Sequence, residues 1–406
     1  MADETQQTTI TLNVGSGSQP GPAPGDMLES LKRLEVTQTA DGPCGFQLTF
    51  DAPRFNVEDT SQSAEYPILS DDLLTPFNRV QISVSIKSTE DVVLMDGYIL
   101  RQEIEIEDDA TFVTVLGEDV SVKMDLIEVS VEFQNLKDSD IVSQILGNYS
   151  SLGVTASVTA PSGESAPSDF VPQQNCTDRF YVRMLARRYG YDFSVIPGSS
   201  AGSNTAYWGP PKTDGTPQAV LSANFGPKTN VKKLEMSYDA RVPTQVYGQV
   251  LDLTQNPAQV SPVALSAPSW RAGLSETEAL STNTGIASDP TSFYSSLDDL
   301  DVRGSLLYHS GLDVSRATAL ATGKANRSVV EVQVIEGELD TETYGNILEV
   351  AGLVDLRGVG ATFDGRYLVR QVTHIIEIEN DEPKYTQKFI LSRGGYGTTI
   401  SEVADY

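Results

Sequence analysis

Apolar and polar positions alternate in short blocks through much of the chain. Leu34 to Thr39 alternates, and so does Phe46 to Phe50 after a Gly-Pro turn. Val80 to Ile86, Met95 to Ile106 and Phe112 to Gly117 follow, with a polar stretch before Val80. Period-two patterning with short turns predicts half-buried antiparallel strands. Five of them in close succession predict a small barrel or sandwich. The pattern then changes. Asp138-Ser-Asp precedes Ile141, Val142, Ile145 and Leu146, with Gly147 behind them, the signature of a short capped helix. A second helix is predicted over 178–189, capped by Thr177 and ended by Gly190, with Tyr181, Met184, Leu185 and Tyr189 on one face. Tyr191 to Val195 reads as a strand. Residues 150–175 and 197–217 read as loops.

Strand signals return at Lys233 to Tyr238, Thr244 to Leu253, Val329 to Ile335, Leu353 to Arg357 and Lys384 to Arg393. A helix is predicted from Val314 to Arg327. One motif occurs twice. MDGYILRQEIEI (95–106) and FDGRYLVRQVTHIIEIE (363–379) share Asp-Gly, Tyr, two apolar residues and Arg-Gln, with Arg366 as an extra residue in the later copy. Each runs into an acidic turn and then an aromatic-apolar strand. One small barrel used twice, the second copy interrupted by an insertion, accounts for this. Asp96, Gly97, Tyr98, Asp364, Gly365 and Tyr367 are then fold and assembly determinants rather than a chemical site.

The expected division is a flexible arm (1–27, with TTITLNV able to pair with a neighbour's sheet edge), a first barrel (28–130) and an α/β insertion (131–228). A second barrel (229–253 and 328–396) is split by a polar or helical insertion (254–327), and 397–406 is a tail. The fold class is β-rich α+β.

Composition narrows the function. The 406 residues carry 28 basic and 56 acidic groups, a net charge of −28. Such a balance disfavours phosphate backbones and anionic membrane surfaces. No apolar run is long enough to span a bilayer, and MADETQQTTITLNVG lacks the pattern of a secretory leader. The two cysteines, Cys44 and Cys176, make neither a disulfide framework nor a zinc site. Of the two histidines, His374 lies in an alternating strand and reads as structural; His309 has no nucleophile motif nearby. Asp299 to Gly304 opens like a calcium loop, but Arg303 and Ser310 stand where ligands belong. No cofactor, metal or catalytic residue is expected.

The order of these segments resembles the late control protein D family. These are baseplate hubs of contractile-tailed phages and contractile injection systems, and form the hub part of VgrG-type spikes. The resemblance rests on the barrel ending in DGYILRQ, on VEFQNLKDSDIVSQIL (131–146), on QNCTDRFYVRMLARRYGY (174–191), and on LRGVG, FDGRYLVRQVTH and YTQKFILSR. It implies two tube-like barrels per chain and a homotrimeric, pseudo-sixfold ring, with a trimeric spike on one side and a hexameric inner tube on the other. It also implies contacts with baseplate wedge proteins and assembly in the cytoplasm into a tail-like particle, while the acidic charge and the lack of an apolar span lead to the expectation of no nucleic acid partner and no membrane insertion. The chain stops soon after the second barrel, so the spike is expected as a separate polypeptide. A tail-associated cell-wall hydrolase using acids of the 150–300 region is the alternative, and a monomeric β-rich binding module the third reading.

Overall fold

The computed structural model describes residues 8–396, apart from 18, 53–65, 71, 87–89, 108–109, 163, 165, 168–169, 199–201, 253–258, 267–276, 279–302, 311–313 and 381. Most of the 254–300 segment and the 397–406 tail lie outside the described residues, as do residues 1–7 of the expected arm. Thr8–Gly15 is strand β1, followed by β2 (Leu31–Thr39), β3 (Gly45–Asp51), β4 (Arg79–Ile86), β5 (Val92–Ile106) and β6 (Thr111–Asp119). The segment expected to be a free arm pairs with its own chain, because β1 lies antiparallel to β4 and buries Leu12 and Val14.

Next come β7 (Glu128–Glu132), helix α1 (Asp138–Gly147), β8 (Val154–Val158) and β9 (Gln173–Thr177). They are followed by α2 (Asp178–Tyr189), β10 (Asp192–Pro197) and β11 (Asn204–Gly209). Both helices stand where the pattern places them. Thr177 accepts from the Phe180 amide and Gly190 closes α2 at φ 70°, a left-handed position that suits glycine. Asp138 does not cap α1. It is buried, and its carboxylate accepts from Arg188 and from the Tyr189 hydroxyl. Met184, expected on the inner face of α2, is exposed, and Val182 and Ala186 are buried instead. The regions read as loops hold β8, β9 and β11, and Trp208 of β11 is fully buried.

The remaining strands are β12 (Gln218–Ser222), β13 (Val231–Tyr238), β14 (Thr244–Asp252), β15 (Gln259–Ser266) and β16 (Arg303–Ser310). After helix α3 (Val314–Ser328) come β17 (Gln333–Asp340), β18 (Leu353–Arg357), β19 (Gly365–Glu379) and β20 (Glu382–Arg393).

The main sheet runs β13-β17-β20-β19-β2-β3-β6-β5-β4-β1, with β18 beside the first half of β19 and β12 beside β18. Its two halves have one topology. In the first module the order is β2-β3-β6-β5-β4; in the second it is β13-β17-β20-β19-β18, strand for strand. Adjacent pairs within both runs are antiparallel. The second copy is interrupted between its first two strands, at 239–332, where β14, β15 and β16 form their own sheet under the alanine face of α3 (Ala317, Ala321, Ala325). The first module is followed by an α/β unit whose sheet is β10-β11-β8. Each module has its own core. Leu34, Leu48, Phe50, Ile82 and Val113 are in the first; Ile335, Leu356, Tyr367, Val372 and Leu391 are in the second.

Candidate assembly interface

The six residues marked by the repeated motif do not converge on one site. Each trio sits in the wall of its own module. Asp96 is buried, and Arg79 reaches it in a two-pronged ion pair, with Nε at 2.6 Å and Nη2 at 2.7 Å. Asp96 also accepts from the Gly202 amide (3.1 Å) and from Asn204 Nδ2 (2.9 Å), so it ties the first module to the α/β unit. Removing one partner of such a pair strands a buried charge, at a cost of about 3–5 kcal/mol. Tyr98 is buried beneath Arg79 and Lys123, whose ammonium sits 4.3 Å from its ring centre.

Asp364 lies in the turn before β19 rather than in the strand, and accepts from the Val359 amide at 2.8 Å. Gly365 holds φ 125°. Tyr367 is fully buried, donates to the Phe363 carbonyl at 2.6 Å and carries Arg393 over its ring. In both modules the motif tyrosine therefore has a buried arginine on its face, which suits the ring quadrupole.

Two cross-strand pairs recur with their roles exchanged. The Arg–Asp pair runs from β4 to β5 in the first module (Arg79 to Asp96). In the second it runs from β19 to β18, where Arg366 reaches Asp355 at 2.8 and 3.1 Å. The extra Arg366 of the later motif thus supplies the guanidinium that β4 supplies in the earlier copy. Likewise Phe46 of β3 faces Gly117 of β6, whereas Gly337 of β17 faces Phe389 of β20. A Cβ on either glycine would meet the facing ring at 2.4 or 2.3 Å.

The modules join where β19 meets β2, antiparallel from Gln371 opposite Thr39 to Glu377 opposite Arg33. Ile376 and Tyr385 of the second module enter the core of the first. His374 is fully buried at this seam. Its Nδ1 and the Tyr385 hydroxyl are hydrogen-bonded at 2.8 Å, and Nε2 faces Gln38 Oε1 at 3.4 Å. Burial pushes the imidazole down to about 3, so it is neutral. On the outer face Arg33 bridges Glu35 and Glu377, and the Thr37 and Thr373 hydroxyls meet at 3.1 Å. A second tie joins all four parts. Asp192 of β10 takes Arg370 of β19 at 2.7 and 3.1 Å and Arg327 of α3 at 2.8 Å, and Arg327 reaches Asp41 of the β2–β3 turn at 2.7 Å.

One signal in the sequence locates the equivalent edge strands directly. Leu31-Lys-Arg-Leu-Glu-Val-Thr37 opens β2 and Val231-Lys-Lys-Leu-Glu-Met-Ser237 opens β13. Both strands are bulged at the same position, Lys32 and Lys232. The hairpin motif marks the far end of each module, and this shorter match marks the near end.

Among the described residues, no three or more His, Cys, Asp or Glu side chains gather as a metal site, and no helix is long and apolar enough to cross a membrane. Cys44 is a buried free thiol whose pKa burial and nearby Asp119 push up; Cys176 is also free. The side chain of His309 is not among those described.

The chain has the fold of solved tail proteins and of a type VI secretion system component. It matches a tail protein of Neisseria meningitidis MC58 with TM-score 0.60 at 10% identity, over 96% of this chain and 97% of that one. The 43 kDa tail protein of prophage MuSo2 from Shewanella oneidensis gives 0.60 at 14% identity, over 96% and 99%. A component of the E. coli type VI secretion system, described as structurally similar to the T4 phage tail proteins gp27 and gp5, gives 0.52 at 13% identity, over 91% and 75%. A family model described as the Alg8 N-terminal domain matches residues 52–243. That segment begins inside the first module and ends beyond β13 of the second, so it follows no unit of this fold. No curated protein matches the sequence.

Proposed function

We propose that this protein is a structural hub of a phage tail or contractile injection particle. Its work is to adapt a trimeric spike to a hexameric inner tube and to nucleate the tube. The observation that carries the reading is the duplication: two copies of one five-strand module, fused edge to edge in a single sheet. A chain with two equivalent modules presents six equivalent positions in a trimer, which is what a threefold-to-sixfold adaptor requires. A closed ring also satisfies the rule that repeated head-to-tail contacts must close or grow into filaments. The likeness to tail and type VI proteins supports the setting, and nothing in the comparisons supports the hydrolase alternative. The two modules are the tube-like barrel domains of this reading, and the α/β unit and the 239–332 segment are their insertions. Spike, tube and baseplate wedge proteins are its partners, met during assembly of the particle.

Light scattering tests this on the purified protein, alone and co-expressed with its spike partner. Three chains in either sample is the expected mass. A monomer in both sinks the adaptor reading.

A further inference from the structure

Among the described strands, the fused sheet contains one module-to-module seam and leaves the two halves of a second one unpaired. Within the chain, β19 uses one side for β20. On its other side it has β18 along its first half and β2 along its second. Its counterpart β5 has β6 on one side and β4 along the first half of the other, from Val92 to Tyr98. Beyond that, on the side away from β6, no described strand pairs with Gln102 to Ile106. The counterpart of β2 is β13, which pairs only with β17 among the described strands and ends the sheet. The exposure follows suit. Ile376 is fully buried at the closed seam, whereas Ile104 and Ile106 at the tip of β5 are 45% and 71% exposed. Val36 of β2 is fully buried, and its counterpart Met236 is 39% exposed.

We infer that the tip of β5 pairs with β13 of a neighbouring copy, repeating between chains the seam that β19 and β2 make within one. The inference rests on the ring reading above and assigns its contact. Register follows from the bulges. β19 is bulged at Arg370 and β5 at Leu100. Aligning the two bulges, and β2 with β13 through Lys32 and Lys232, sets Ile106 opposite Leu234, Ile104 opposite Met236 and Glu107 opposite Lys233 of the neighbour. The first two pairs are apolar and lie on the core face, since Ile104 stands opposite buried Val113. The third repeats with the same sign the Glu377–Arg33 ion pair of the internal seam. Glu105 falls opposite Glu235 on the outer face, where Lys233 already holds Glu235. Two unpaired edges with matching apolar and charged residues form a template for strand addition.

The test is disulfide trapping between copies, in a Cys176→Ser background with buried Cys44 left in place. Ile104→Cys combined with Met236→Cys should give, on mild oxidation, linked species at multiples of the chain mass. Each single variant should give no such ladder. Glu105→Cys with Met236→Cys, whose side chains leave opposite faces of the seam, should also give none. A separate pair of surface variants guards against misfolding. Lys233→Glu should lower the assembled fraction, and adding Glu107→Lys should restore it. If the unmodified protein has the mass of a ring yet the in-register pair yields no ladder and the charge swap rescues nothing, this pairing is wrong and the ring stands. If the unmodified protein is a monomer with and without its partners, the ring reading itself has failed.

Discussion

A methyl group on Gly97 would stand 2.1 Å from the carbonyl oxygen of Glu118. The clash is with backbone in the neighbouring strand, so no rotamer relieves it. Gly365 fills the same slot of the later motif for another reason, a backbone φ of 125° that side chains rarely adopt. Both substitutions to Val should therefore be destabilising, by different routes. Gly365→Ala should cost about 1–3 kcal/mol from backbone strain alone. Gly97→Ala should cost at least as much, because β5 and β6 must separate to admit it. Denaturant titration of each variant checks the values, and wild-type midpoints would show that the motif glycines are not fold determinants. The motif aspartates differ in the same way. Asp96 is a buried ion-pair partner, Asp364 a turn residue, and the sequence identity between them conceals the change of role.

At the scale of elements, the seam between β19 and β2 carries a titratable group with no acidic partner. His374 in the folded chain takes a proton only near pH 3, whereas in the unfolded chain it does so at about 6.5. Between those values the unfolded state binds the extra proton, so stability falls as pH drops through 6.5. At pH 5 the loss from this residue is about 2 kcal/mol, at 1.36 kcal/mol per pKa unit. His374→Gln, which keeps hydrogen-bonding capacity toward Gln38 and Tyr385, should flatten the fall in melting temperature between pH 7 and 5. An equal acid slope in the variant would place the titration elsewhere. The sequence marked His374 as structural because it lies in an alternating strand, and that strand is β19. Period-two patterning likewise revealed most strands of the two modules, clearly where one face is buried and the other is not, as in β2 and β3, and by apolar content where both faces are buried, as in β4 and β18. It missed β8, β9 and β11, in regions read as loops, and β12, and it missed β15 and β16 inside the segment expected to be a polar or helical insertion. It also began β17 early, because Val329 and Val332 are buried in the turn rather than in the strand. The seam was illegible for a different reason. Pairing between β2 and β19 is a contact between distant segments, and no local pattern records which edge meets which.

For the whole molecule, the net charge of −28 opposes any association of copies. Self-repulsion of this kind is long-ranged at low ionic strength, with a Debye length of roughly 30 Å at 0.01 M and 10 Å at 0.1 M. Strand pairing and apolar burial at the open edges act at contact distance and are screened little. The proposed contact between copies holds one attractive ion pair, Glu107 with Lys233, of an exposed type worth about 0–1 kcal/mol. Two opposed salt effects follow, and their sizes decide the sign. Screening the mutual repulsion of two strongly acidic chains outweighs screening one exposed pair. The assembled fraction at fixed protein concentration should therefore rise as salt goes from 0.01 to 0.15 M, read by sedimentation velocity. Dissociation over the same range would mean that ion pairs, rather than the β5 and β13 edges, hold the copies together. A partner with a basic face would gain from the charge that separates the copies, and its binding would weaken over the salt range that strengthens the proposed contact between copies.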